Sequence, residues 1–251
     1  MRHIALTLSY DGSAYHGWQL QANAVTVQGT LADAITKVTN TPTQPIGCGR
    51  TDAGVHARFY VASFFTDSRI PLERFPTALN TVLPHDIVIH KADEVSDTFH
   101  PVHSCIRKEY TYELYRDKTP NPFLHRRALF YPYPMDLDEL RLAAAHFIGT
   151  HDFSSMRSLG TPVKSTIRTV YDFDITECGS AVSFRIAANG FLYNMARTMV
   201  GTLLAVAQKK IMPCEIPDIL ASKDRSLAGA TAPAHGLYMT DARYGKEYFN
   251  V

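Results

Sequence analysis

The stretch His3-Ile4-Ala5-Leu6-Thr7-Leu8-Ser9-Tyr10 alternates. Ile4, Leu6, Leu8 and Tyr10 share one face, and Ala5, Thr7 and Ser9 share the other. Successive side chains of an extended backbone point to opposite sides, so this pattern predicts a half-buried strand. Asp11-Gly12-Ser13 supplies the turn chemistry that ends it. Working outward, Val27, Leu31, Ile35 and Val38 fall at helical spacing, which predicts a helix over Thr26–Thr39 with Thr26 as its N-cap. Two strand-like segments follow, near Gln44–Gly49 and Arg58–Phe65. A helix is expected over Pro71–Leu83 despite Pro76, and a strand over Asp86–Ala92.

The second half repeats this order. Lys108–Tyr115 alternates through Tyr110, Tyr112 and Leu114, and Asp136–Ile148 carries Leu137, Leu140, Ala144 and Phe147 at helical spacing. Thr169–Ile175 and Ala181–Ala187 read as strands, and Phe191 to Gln208 as the last strong helix. Strand, helix, strand, strand, helix is the split strand-helix-strand order, used twice. The expected fold is therefore α+β, with two ferredoxin- or RRM-like halves sharing an extended antiparallel sheet. The helices would lie on one side and a cleft between the halves. The halves, residues 1–104 and 105–251, are expected to join near 100–107. No residue-level repeat or low-complexity linker is visible.

Composition narrows the class. With 251 residues, 45% hydrophobic, 20% charged and a net charge of +1, disorder is not expected. No stretch approaches the roughly 18–20 apolar residues of a membrane span. The run after Met1 is short and alternating, so no signal peptide is expected. Near-zero charge argues against a tail-like nucleic-acid binder but leaves room for a local basic cleft. Cys48, Cys105, Cys178 and Cys214 lie far apart without a CxxC pair, and the histidines show no metal spacing, so no metal site is expected. Free thiols in a chain of this size fit a reducing cytoplasm.

The densest chemical signal is Gly47-Cys48-Gly49-Arg50-Thr51-Asp52-Ala53-Gly54-Val55-His56-Ala57. Three glycines bracket an arginine and an aspartate. Asp52 on such a turn is either a catalytic carboxylate or a residue capping its own backbone. The segment lacks the Gly-Lys-Ser/Thr that closes a Walker phosphate loop. Farther on, Tyr193, Arg197, Val200 and Leu204 follow helical spacing, which sets Arg197 within an apolar stripe. Its guanidinium there either meets an anion, for which Asp52 is a candidate, or snorkels to water.

These residues resemble the tRNA pseudouridine synthase A family. Arg50 to Ala57 is similar to its signature. Tyr10-Asp11-Gly12, Gly17-Trp18-Gln19 with Gln21, and Thr26-Val27-Gln28 follow its N-terminal pattern. Lys108-Glu109-Tyr110-Thr111-Tyr112, Gly149-Thr150-His151-Asp152-Phe153, Phe191 to Gly201, and Ala232 to Tyr238 are similar to its later motifs, in family order across nearly the whole chain. Ala196 is often valine in the family and His235 often glutamate.

The resemblance implies isomerisation of uridine to pseudouridine at positions 38–40 of the tRNA anticodon stem-loop, without a cofactor. Asp52 would be the nucleophile or base, by addition to ring or sugar or through a glycal. Arg50 would support the flipped-out base, Tyr110 would stack on it, Arg197 would keep Asp52 ionised, and Leu237 would line the uracil pocket. His56 would be structural or act behind the site. Arg107-Lys108, Arg126-Arg127, Lys164 and Arg168 would meet phosphates. The resemblance further implies a cytoplasmic homodimer. Two rivals stand beside it: a non-catalytic RNA-binding protein, disfavoured by the missing RNP1 pattern, and a carboxylate hydrolase acting on a small substrate.

Overall fold

The computed structural model describes residues 1–158, 160 and 163–249. The chain divides into two compact units. The first is Met1–Arg107 together with the segment from Met239 on, and the second is Lys108–Tyr238. In chain order the elements are β1 (Arg2–Tyr10), α1 (Val27–Thr39), β2 (Ile46–Gly47), β3 (His56–Thr66), α2 (Phe75–Asn80), β4 (Ile87–Glu94), β5 (Cys105–Tyr115), β6 (Leu129–Phe130), α3 (Leu137–Ala145), β7 (Gly149–Asp152), β8 (Ile167–Cys178), β9 (Ala181–Ala188), α4 (Met195–Ala207), α5 (Ile216–Ser222) and β10 (Leu237–Tyr244). The class is α+β, as the strand and helix periods predict.

In the first unit β1 lies between β3 and β4, antiparallel to both. β2 pairs with β3 through Ile46↔Ser63, and β10 borders β3. Ile4, Leu6 and Leu8 are fully buried, so the alternation of the opening stretch does mark a core face. Thr26 caps α1 as expected, its side chain accepting from the Gly29 N–H. Near its C-terminal end β1 bulges against β3. Leu8 pairs with Tyr60 but Tyr10 with Ala57, so β3 holds one extra residue just after the Asp52 loop.

Two expectations for this unit contract. The strand near Gln44–Gly49 is only Ile46–Gly47. The helix expected over Pro71–Leu83 is a short 3-10 turn at Leu72–Arg74 followed by α2. Proline has no N–H to donate, so Pro76 is accommodated where such donors go unused, in the first turn of α2.

In the second unit β9 lies between β5 and β8, antiparallel to both. β7 adds to β8 in antiparallel register, and β6 makes a short parallel pairing with β5. α3 packs against β8 and α4. Its N-cap Asp136 accepts from the N–H groups of Asp138 and Glu139. The helix expected from Phe191 begins at Met195 instead. Asn194 sits in the left-handed region at φ 63°, which breaks the helical path. That conformation is held by its amide, which donates to Ser158 Oγ at 2.8 Å and accepts from Arg197 Nη1 at 2.8 Å. Tyr193 is therefore off the helix and exposed, while Val200 is fully buried. Among the described residues no helix is long and apolar enough to cross a membrane.

Candidate active site

The Asp52 loop is fastened to the turn that follows β1. Trp18 N–H donates to Thr51 O at 3.1 Å and Gly54 N–H to Tyr15 O at 3.3 Å, while within the loop Val55 N–H donates to Asp52 O at 3.1 Å. The Tyr10 and Thr51 hydroxyls meet at 2.9 Å in a buried hydrogen bond. Gly17 lies at φ +83°, and a Cβ there would stand 2.3 Å from Thr51 O, so only glycine permits this approach. Gly47 serves a second approach. A Cβ on it would fall 2.2 Å from the Tyr60 hydroxyl and 2.4 Å from the Trp18 ring. Those two rings pack with centroids 4.4 Å apart, and the Tyr60 hydroxyl donates to Gly49 O.

The outcome is a half-buried Asp52 on backbone held at several points, with Arg50 exposed two residues earlier. A carboxylate carried on backbone fixed in this way has its Cα and Cβ already placed when a substrate arrives, so less freedom is lost on meeting it. His56, at the head of β3, is 2% exposed, with Nδ1 3.1 Å from both Gly12 N and Asp11 Oδ1. A backbone N–H needs a bare Nδ1 and a carboxylate needs a protonated one, so only one contact is a hydrogen bond in a given tautomer. Either one ties the loop exit to the β1 turn, in line with the structural reading of His56.

The other implied residues belong to the second unit. Tyr110 on β5 is 7% exposed, its ring edge-on to Phe191 with centroids 4.9 Å apart. Leu237 is buried at the start of β10. Arg197, in the first turn of α4, is half-buried. Its Nε donates to Ala232 O at 2.8 Å, and Ala232 N–H donates back to Arg197 O at 3.1 Å. Arg197 thus clamps α4 to the segment leading to Leu237. Sequence reasoning, which weighed only an anion or water, missed these carbonyl and amide partners. Tyr112 secures the same segment, its hydroxyl donating to Pro233 O at 2.9 Å.

The basic candidates divide. Lys164, Arg126 and Arg127 are exposed, whereas Arg168 is half-buried and donates to the carbonyls of Ser165 and Ile167. An arginine already spent on its own loop is a weaker phosphate ligand. In the Gly149–Phe153 motif, Asp152 is a staple. Burial alone would raise its pKa. The Ser154 hydroxyl and N–H, the Thr166 hydroxyl and the Lys223 ammonium instead hold it well below the usual carboxylate range. Lys223 Nζ, at 3.1 Å, joins it to the C-cap of α5.

An α+β chain with an aspartate on a clamped loop, a strand tyrosine and these motifs in order is of the pseudouridine synthase class. Comparison with known proteins agrees. The tRNA pseudouridine synthase family profile matches residues 7–103 and 143–245. Curated proteins described as tRNA pseudouridine synthase A are similar over 97% of this chain and 100% of their own length. They are 48% identical in Thermoanaerobacter sp. (strain X514), 46% in Caldicellulosiruptor bescii and 45% in Acetivibrio thermocellus. The chain belongs to the tRNA pseudouridine synthase family and is an isomerase acting on uridine in tRNA.

Proposed function

We propose that the chain isomerises uridine at positions 38–40 of the tRNA anticodon stem-loop, with Asp52 as its nucleophile or base. The observation that carries the catalytic part is the clamped Asp52 loop within an intact Arg50–Ala57 signature. The full-length similarity to proteins described as tRNA pseudouridine synthase A supports the substrate. A uridine in a paired stem is stacked, so it must leave the helix before a side chain can reach its ring. In this reading Arg50 supports the extruded conformation, and Tyr110 stacks on the base and assists a proton transfer with its hydroxyl. Arg197 keeps Asp52 ionised, and Leu237 supplies an apolar wall. The N1–C1′ bond breaks and a C5–C1′ bond forms, the C5 proton leaving to solvent while N1 takes one up, so no atom is gained or lost overall. The reading includes a homodimer working in the cytoplasm, where tRNA matures.

The decisive experiment maps pseudouridine in unmodified tRNA after exposure to the purified protein. New pseudouridine confined to positions 38–40 is expected. Modification elsewhere only would overturn the stem-loop assignment, and none at all would overturn the activity.

Two further results are expected. Tyr110→Phe keeps the ring against Phe191, so the protein should fold and bind tRNA while turnover falls by about 10²-fold, the lower end for general acid–base work. Unchanged turnover would confine Tyr110 to stacking. Binding should also weaken steeply with salt despite the net charge of +1, because Lys164, Arg126 and Arg127 stand exposed. Each neutralised phosphate adds roughly 0.7–0.9 to the slope of log affinity against log salt. A flat plot would show that these charges do not meet the RNA backbone.

A further inference from the structure

Beside the Asp52 loop, within the first unit, lies a surface pocket of about 460 Å³. That lies within the roughly 300–1,000 Å³ typical of small-molecule sites. Three glutamines, Gln19, Gln28 and Gln44, line it with Arg50, Ile46 and Val102. No acidic side chain lines it among the described residues.

The amides are not arranged at random. Gln28 is 5% exposed, and its Oε1 accepts the backbone N–H of Leu20 at 2.8 Å. A backbone N–H can only donate, so this atom is fixed as the oxygen, and Gln28 Nε2 donates to Pro45 O at 2.8 Å in agreement. The Gln19 atom 2.9 Å from the same oxygen must then be Nε2. Gln19 is thereby pinned in one orientation, with its own Oε1 and one N–H left to offer a ligand. Gln44 is exposed and makes no hydrogen bond with any described residue, and the exposed Arg50 makes neither a hydrogen bond nor an ion pair with one.

A donor–acceptor amide edge matches the edge of a nucleobase, an unspent guanidinium matches a phosphate, and Ile46 and Val102 offer apolar surface to a ring or ribose. Asp52 does not line this pocket, so a base seated here is not positioned for isomerisation. We propose that the pocket receives one unstacked nucleotide of the tRNA other than the uridine being isomerised. Withdrawing the target base removes a stacking partner from both neighbours, so one of them leaves the stack at reduced cost. The inference rests on the chain acting on tRNA and does not depend on which uridine it modifies.

The test uses a tRNA whose modified uridine has first been mapped. Abasic substitutions are walked through the nucleotides flanking that uridine and assayed with wild type, Ile46→Trp and Gln44→Ala. Ile46→Trp fills the pocket. Gln44→Ala removes an exposed side chain that bonds to nothing, so it stays informative if the tryptophan variant fails to fold. With wild type, one flanking abasic position should raise KM about tenfold with kcat unchanged. Each variant should raise KM for intact tRNA several-fold, and that abasic position should then add little more. An abasic penalty of full size in both variants, or KM unchanged in both, would overturn the proposal. A mapped uridine outside 38–40 would overturn the stem-loop assignment alone, because the walk is centred on the mapped site.

Discussion

Asp52→Asn is expected to leave a folded protein that binds tRNA and makes essentially no pseudouridine, with turnover down by about 10⁴-fold or more, roughly 5.5 kcal/mol of barrier. The fold should tolerate the change because the loop is held through backbone atoms of Thr51, Asp52 and Gly54 and through the Tyr10–Thr51 hydroxyl pair. Asparagine is nearly isosteric with aspartate but is neither a nucleophile nor a base. Tritium release from C5-labelled uridine in tRNA measures turnover, gel shift measures binding, and thermal melting confirms the fold. Residual turnover within about tenfold of wild type, a cost of only about 1.4 kcal/mol, would remove Asp52 from the catalytic role.

The second large effect is expected at Arg197. Arg197→Ala removes the donors to Ala232 O and Asn194 Oδ1, freeing the segment that leads to Leu237 and the left-handed turn at Asn194. Hydrogen bonds from a charged donor contribute roughly 1.5–3 kcal/mol each. A loss of about 3 kcal/mol would lower the melting temperature of a chain this long by roughly 6–12 °C. Arg197→Lys keeps the charge but not the planar fork that spans two acceptors, so stability should recover only in part. The proposed pairing with Asp52 is tested separately. In a double-mutant cycle with Asp52→Ala, a coupling energy near zero would sink the pairing and leave the clamp intact. A melting temperature unchanged in Arg197→Ala would instead show that the clamp contributes nothing.

The strands and helices that carry the site are legible wherever one face of an element is buried. β1, β5, β9 and the N-cap of α1 all lie where alternation or capping chemistry puts them. Elements with weak or short patterns are not legible in the sequence: β6, β7, α5 and β10. The ends of α2 and α4 also escaped, because Pro76 and Asn194 act through backbone geometry and not through hydropathy. Residue types and motif order mark Asp52, Arg50 and Tyr110 as candidates from the chain alone. The reasons for the neighbouring glycines do not follow from it.

The features legible in the residues are local or inherited: the period of each strong element, the turn after β1, and a family signature in order. These follow from side-chain spacing and from residue identity. Folding in three dimensions brings Gly17 against Thr51 O, sets Arg197 on Ala232, pins Gln19 through Gln28 beside a pocket, and packs the segment from Met239 on with the first unit. The physical reason is that hydrogen-bond partners and close approaches are set by packing in three dimensions. Thr51 lies 34 residues from Gly17, and Ala232 lies 35 from Arg197. No periodicity or propensity spans such separations, because each belongs to the backbone of a single element.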